Sequence, residues 1–174
     1  MPVCQRGAQP HSRRPGDANG RRPAIIAAMT QLHIASRVDA PVGELFDLMA
    51  NPSTEEQWNP DALEVRRLDD GAIGPGARWQ GRYKGVGEMD ITLDEYEPPS
   101  RLVFSIVGSR MDMHWTFTLA ADGPSTSLLT AAADLRPKGA LRLLTPLFGP
   151  LMRRTFSKRP EQLAAGVRAQ RSGG

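Results

Sequence analysis

Few side chains of this sequence are suited to nucleophilic or metal chemistry. There is one cysteine, Cys4, and there are three histidines, His11, His33 and His114. A single cysteine excludes a disulfide framework and the paired cysteines of zinc ribbons and redox motifs. Nucleophilic catalysis needs Ser or Cys beside a His and an acid, and no Gly-X-Ser-X-Gly motif is present. We therefore expect no catalytic triad, no metal and no cofactor.

The only histidine with chemically interesting neighbours is His114, which shares one face of a predicted strand with Asp112 and Thr116. Apolar residues alternate with this set, so we expect it to point to solvent. A register slipped by one residue would turn the whole set inward and make His114 a candidate general base.

Three acidic pairs could in principle supply a general acid and a general base. Glu55-Glu56, Asp69-Asp70 and Asp94-Glu95 stand at turns or strand ends, so solvated charge is the expectation. The segment GAIGPGARW is similar to a phosphate-binding loop, but it lacks the dinucleotide spacing and no helix follows it. It is predicted to be a turn.

The net charge of +3 hides three blocks of opposite sign. Residues 1–28 carry +4, residues 29–135 carry −9, and residues 136–174 carry +8. A nucleic-acid binder usually concentrates basic charge on its folded recognition surface. Here the basic blocks are a predicted tail and a predicted helix. We expect no nucleic-acid partner, and weak contact of the C-terminal block with a membrane surface stays open.

The chain divides into a short extension and a patterned domain. Residues 1–28 are rich in Pro, Gly and Arg, and this composition predicts a disordered basic extension. The longest apolar run, 24–29, falls short of a signal peptide and far short of a membrane helix. Met29 directly precedes the patterned sequence, so the extension could be an upstream addition to the native protein. We expect a single cytoplasmic domain over 29–171.

Hydrophobic periodicity predicts mostly strands. A first strand over 31–38 is followed by a short helix over 41–50 and a further helical turn over 54–58. Period-two alternation and tight turns then predict six strands, over 63–68, 77–83, 89–94, 102–107, 111–119 and 127–135. Such short, closely connected strands indicate an antiparallel meander.

Residues 137–170 have helical spacing but contain Pro146, Pro150 and Pro160, which predict a bent or segmented helix with its longest piece from about Gly149. A sheet with one apolar face needs a covering layer. The predicted fold is therefore α+β: a curved antiparallel sheet of about seven strands wrapped around a long C-terminal helix, with two short helices after the first strand.

The order of these elements resembles the START-like (SRPBCC) superfamily with its helix-grip fold, and within it the polyketide cyclase/dehydrase and lipid transport group. The resemblance covers residues 31–170 and lies in three segments: VDAPVGELFDLMANPSTEEQWNP, GPGARWQGRYKGVGEMDITLDEYEPPSRLVFSI and MHWTFTLAADGPSTSLLTAAADLRPKGALRLLTPLFGPLMRR. It implies a hydrophobic cavity between sheet and helix. Members bind lipids, sterols, polyketides and similar molecules, and some catalyse cyclisation or dehydration of a bound polyketide.

Inward strand positions and the C-terminal helix supply the candidate cavity residues, although the same residues could simply fill a core. The candidates are Trp58, Trp79, Tyr83, Met89, Ile91, Phe104, Met113, Trp115, Phe117, Leu144, Phe148 and Met152, with Tyr83, Arg78 and Thr130 as polar groups that could orient a guest.

Three functions remain open. The favoured one is binding of a hydrophobic small molecule by a monomer or homodimer, with no catalytic residue. The alternatives are a polyketide cyclase/dehydrase-type enzyme, and a membrane-surface or protein interaction module that uses the basic C-terminal helix.

Overall fold

Seven strands and three α-helices form the part of the chain that the computed structural model describes, residues 30–144, Arg154, Phe156 and 158–173. In chain order they are β1 (Thr30–Val38), α1 (Val42–Ala50), α2 (Glu55–Trp58), β2 (Ala62–Arg67), β3 (Arg78–Tyr83), β4 (Gly87–Glu97), β5 (Arg101–Gly108), β6 (Met111–Ala121), β7 (Ser127–Pro137) and α3 (Arg159–Gly173). Short 3-10 helices span Pro52–Thr54 and Gly139–Leu144.

The strands form one antiparallel sheet in the order β1-β7-β6-β5-β4-β3-β2. Strands β2 to β7 follow one another as a meander, and β1 crosses over to pair with β7. Every strand predicted from the alternation is present, so the predicted antiparallel sheet and the α+β class are confirmed. The period-two pattern succeeds here because each strand has one buried face.

Helix α3 covers the inner face of the sheet. Its buried side is made of Leu163, Ala164, Gly166 and Val167, and it packs against β1, α1 and α2. At its far end the Arg171 guanidinium donates to the Glu44 carboxylate of α1. The sheet and its covering C-terminal helix confirm the expected helix-grip architecture.

The approach of α3 to its neighbours is close at one residue. A Cβ atom added to Gly166 would lie 2.9 Å from Trp58 Cβ and 3.1 Å from Leu48 Cδ2. Real Cβ contacts are almost never this short, so only glycine allows α3 to lie here. The absence of a side chain at Gly166 allows α3 to pack closely on α2, which in turn contacts the edge strand β2.

The described part of the C-terminal region is segmented, which agrees with the prediction from its prolines. The 3-10 helix Gly139–Leu144 precedes α3, and Pro160 occupies the first turn of α3, where a missing N–H costs nothing. The predicted start of the longest helical piece near Gly149 lies outside the described residues. No helix in the described ranges is both long and apolar enough to cross a membrane.

Candidate functional site

A cavity of about 250 Å³ lies between the inner face of the sheet and the start of α3. An apolar cavity of about 150 Å³ is already large enough to bind benzene, so this space admits a larger guest. The apolar part of its wall comes from five strands, β1 and β4 to β7, and from the helical segments that cover them. It comprises Ile34, Met49, Pro52, Trp58, Val86, Ile91, Phe104, Ile106, Met111, Met113, Trp115, Phe117, Leu129, Ala131, Phe156, Pro160 and Leu163.

The register between β6 and β7 keeps this space open. Phe117 stands opposite Ala131 and Trp115 stands opposite Ala133, so the two inward aromatic residues of β6 each have an alanine as their neighbour on β7. On the other side of β7, Ala131 pairs with Ile34 of β1. The alanines leave room above the centre of the sheet that larger residues would fill.

Four aromatic rings form a continuous part of the wall. Trp115 and Phe117 are stacked, with ring centroids 5.4 Å apart and planes within 1°. Phe104 meets Phe117 edge to face at 6.3 Å, and Phe156 lies 4.9 Å from Trp115. The rings present a flat apolar surface that suits a planar or chain-like guest.

Seven of the sequence-predicted cavity residues line this space in the structure. They are Trp58, Tyr83, Ile91, Phe104, Met113, Trp115 and Phe117. The side chain of Leu144 and the residues Phe148 and Met152 lie outside what the structure describes. The alternation of β6 would also have pointed to Met111, which lines the cavity and was missed.

The structure places Trp79 and Met89 in the core and not in the cavity wall. Trp79 is fully buried, and the Arg67 guanidinium lies 5.3 Å from its ring. The Met89 sulfur occupies the space where a side chain at Gly108 would be. Both residues face inward as predicted, but neighbouring side chains cover them.

The other polar candidates point away from the cavity. Arg78 and Thr130 are exposed and take no part in its wall. The His114 side chain is 52% exposed on the outer face, 4.0 Å from the Asp94 carboxylate. The expected outward register of β6 is therefore confirmed. Among the described residues no group of His, Cys, Asp and Glu is arranged to hold a metal ion.

The charged part of the wall is a cluster that we call the rim cluster: Glu55, Asn59, Asp61, Tyr83 and Arg159. Asn59 Nδ2 donates to Glu55 Oε2 at 2.8 Å, and Arg159 Nη2 donates to Asp61 Oδ2 at 3.2 Å. The Tyr83 hydroxyl interacts electrostatically with the Glu55 carboxylate. The cluster joins α2, the end of β3 and the first residue of α3.

Aromatic rings surround the cation of this cluster. The Arg159 guanidinium lies 5.9 Å from the ring of Trp58 and 5.5 Å from the ring of Phe156. Only 15% of the Arg159 side chain is exposed. A guanidinium suits this position because it is more weakly hydrated than an ammonium group and stacks on aromatic faces.

Burial dominates the electrostatics of the rim cluster. It raises the pKa of Glu55, against the opposing effects of the Asn59 hydrogen bond and the Arg159 charge. It also raises the pKa of Tyr83, and the Glu55 charge adds to this rise. Burial lowers the pKa of Arg159, opposed by the charges of Glu55 and Asp61. Burial thus disfavours the charged form of all three groups. The neighbours offset part of this effect for Glu55 and Arg159, whereas Tyr83 is held in its neutral form.

The expectation that Glu55 is a solvated turn charge is wrong, because α2 directs its carboxylate into the cavity wall. Its neighbour Glu56 is exposed and accepts a hydrogen bond from the Val65 amide at 2.7 Å. The spacing of Glu55 and Asn59, one helical turn apart, is the only local signal of the cluster. Arg159 reaches Asp61 across 98 residues, which no local pattern reveals.

An antiparallel sheet, a C-terminal helix laid over it and an apolar cavity between the two define the helix-grip class of proteins. The model of the family "Polyketide cyclase / dehydrase and lipid transport" matches residues 29–169. The chain therefore belongs to that family, and the START-like resemblance is confirmed. Proteins of this family and fold bind hydrophobic small molecules.

Solved structures with the same fold are distant in sequence. A START superfamily protein from Mycobacterium smegmatis has 16% identity and a TM-score of 0.57, over 80% of this chain and 95% of that one. Ara h 8.0201 has 13% identity and a TM-score of 0.61, over 81% and 99% of the two chains. The Zhui aromatase/cyclase from Streptomyces sp. R1128 has 11% identity and a TM-score of 0.61, over 82% and 93%.

These identities show a shared fold and no more. No curated protein matches this sequence.

Proposed function

We propose that this protein binds a hydrophobic small molecule in the cavity between the sheet and α3. The observation that carries the proposal is the apolar cavity of about 250 Å³ with its aromatic wall. A core that only stabilised the fold would close such a space, since interiors are normally packed to crystal density. Here the register instead sets alanines opposite large rings and keeps the space open.

Filling the cavity from the sheet tests this proposal. In Ala131→Leu the added carbons enter the space beside Phe117, whereas in the control Ala132→Leu they go to the opposite face of the same strand. The uncharged dye N-phenyl-1-naphthylamine fluoresces when it enters an apolar site. We expect the wild type and the control to take up the dye, and Ala131→Leu to bind it about tenfold more weakly or worse.

Thermal unfolding of all three proteins shows whether each variant is folded. No dye uptake by the folded wild type, or equal uptake by both variants, would contradict the proposal. Native mass spectrometry of the protein purified from a lipid-rich host then identifies any molecule that it retains.

A second candidate is a cyclase/dehydrase-type enzyme, favoured by Glu55 and Tyr83 on the cavity wall. A carboxylate with a raised pKa is a stronger base than an ordinary one. In a dehydration, Glu55 would take a proton from the carbon beside a carbonyl and return it to the departing hydroxyl, so that one water leaves.

The probe for this reaction is a β-hydroxyacyl thioester of N-acetylcysteamine. Loss of water with the wild type, but not with Glu55→Gln, would support the enzyme. If the wild type leaves the thioester unchanged, the enzyme candidate is contradicted and only the binding function remains.

A further inference from the structure

The polar side chains of the cavity wall are concentrated at one end. The rim cluster occupies the place where α2, the end of β3 and the start of α3 meet. Lys84 belongs to the same end, since its amide donates to the Asp61 carbonyl at 2.9 Å and its ammonium donates to the Pro60 carbonyl at 2.6 Å. Most of the remaining wall is apolar, so a guest meets two different environments along its length.

One hydrogen-bond donor of this end is unused. Arg159 Nη2 is occupied by Asp61, but Nη1 is buried and has no acceptor in the described ranges. Buried donors in native structures are almost always paired, and a charged donor loses most when it is not. Trp58 and Phe156 lie beside the guanidinium and add ring contacts but no oxygen. Gln162 Oε1, three residues further along α3, is also buried without a partner and does not pair with Nη1. An acceptor oxygen on a bound guest would therefore satisfy this donor.

We propose that the guest is an amphipathic molecule whose carbonyl or carboxyl oxygen accepts a hydrogen bond from Arg159 Nη1 while its apolar body lies against Trp115 and Phe117. This inference rests on the proposed binding function and names the chemical class of ligand. The cation makes an acceptor oxygen the favoured group, because a hydrogen bond to a charged donor is about twice as strong as a neutral one. A ligand with only donors, or a pure hydrocarbon, would leave Nη1 unpaired.

Three probes of nearly equal size test the inference: 2-naphthoic acid, 2-acetylnaphthalene and 2-ethylnaphthalene. Their dissociation constants are measured by displacement of N-phenyl-1-naphthylamine. We expect the wild type to bind the acid, the ketone or both about tenfold tighter than the hydrocarbon. A preference for the acid alone identifies a carboxylate ligand, and a preference for both identifies a carbonyl oxygen as sufficient.

The variant Arg159→Met keeps an apolar stem and removes the donors. We expect it to weaken binding of the preferred probe about tenfold and to leave the hydrocarbon within about twofold. Arg168→Met is the matched control, because Arg168 is an exposed residue of the same helix. It should change none of the three constants.

A wild-type preference below about threefold overturns the inference, as does a preference that folded Arg159→Met retains. The wild-type comparison needs no variant, so the inference remains testable even if Arg159→Met does not fold. Equal, measurable binding of all three probes would overturn the inference but leave the proposed function standing. No uptake of the displaced dye itself would instead remove the proposed function.

Discussion

The contact at Gly166 predicts an alanine substitution that destabilises a helix. In most helix interiors a change from glycine to alanine stabilises by about 1 kcal/mol. At this position the new Cβ would meet Trp58 Cβ at 2.9 Å and both Leu48 Cδ2 and Trp58 Cδ1 at 3.1 Å. A Cβ atom cannot rotate away from such a contact, so α3 or α2 must shift. Overpacking of this kind costs about 1–3 kcal/mol, and we expect Gly166→Ala to lower the free energy of unfolding by about 1 kcal/mol net.

Gly43→Ala is the matched control in another helix. Gly43 lies in α1, and a Cβ added there would have no neighbour within 4 Å. The same chemical change should raise the free energy of unfolding by about 0.5 kcal/mol. Urea unfolding followed by circular dichroism measures both values. For a chain of this size, 1 kcal/mol corresponds to a shift of about 2–4 °C in Tm.

The two alanine variants are therefore expected to move Tm in opposite directions. Tryptophan emission gives a second signal for Gly166→Ala, because the displaced Trp58 ring lies on the cavity wall. If Gly166→Ala stabilised the protein as much as Gly43→Ala does, the close packing of α3 on α2 would be refuted.

Three further predictions concern single side chains. Ser127 is fully buried, and its hydroxyl donates to the Ala40 carbonyl at 2.6 Å. Ser127→Ala should therefore lower the free energy of unfolding, measured with urea, by about 1–3 kcal/mol. An unchanged urea midpoint would contradict this hydrogen bond. Burial in the folded state raises the pKa of Glu55 above its usual 4.5. The folded protein therefore binds the Glu55 proton more tightly than the unfolded chain does. The free energy of unfolding should fall as the pH rises from 4.5 and Glu55 loses this proton. Glu55→Gln should flatten this loss in urea unfolding at a series of pH values, and an identical pH profile would refute it. His114→Ala should leave dye binding within about twofold of the wild type, because the imidazole is on the outer face of the sheet; a larger loss would mean that His114 reaches the cavity.

Local patterns were sufficient to predict the sheet. The alternation from Met111 to Leu119 sets the inner face of β6, and the same rule correctly turned His114 outward. This succeeded because a strand with one buried face obeys a rigid two-residue period. Helical spacing after residue 137 and the need to cover the apolar face of the sheet predicted the C-terminal helix. The resemblance to the family then implied the cavity, which alternation alone does not show.

The difference between core and cavity was not predictable in the same way. Trp79 and Trp115 have the same inward pattern, yet only Trp115 lines the cavity. What separates them is the neighbour that covers each ring, and such neighbours come from distant parts of the chain. Arg159 and Asp61 are the clearest case, because their ion pair depends on how α3 docks.

Contact of the basic C-terminal residues with a membrane surface stays a prediction.

The alanine at the centre of β7 has a consequence for how this protein could diversify. Ala131 is flanked by Ile34 on one neighbouring strand and Phe117 on the other, and all three line the cavity. The depth of the cavity is thus set by side-chain size on an interior strand, where hydrogen bonds on both sides hold the backbone in place. Each larger residue at this position would reduce the volume of the cavity, while the hydrogen bonds of the sheet remained unchanged. Under the proposed binding function, a single substitution at Ala131 therefore changes the room for a ligand without remodelling any loop.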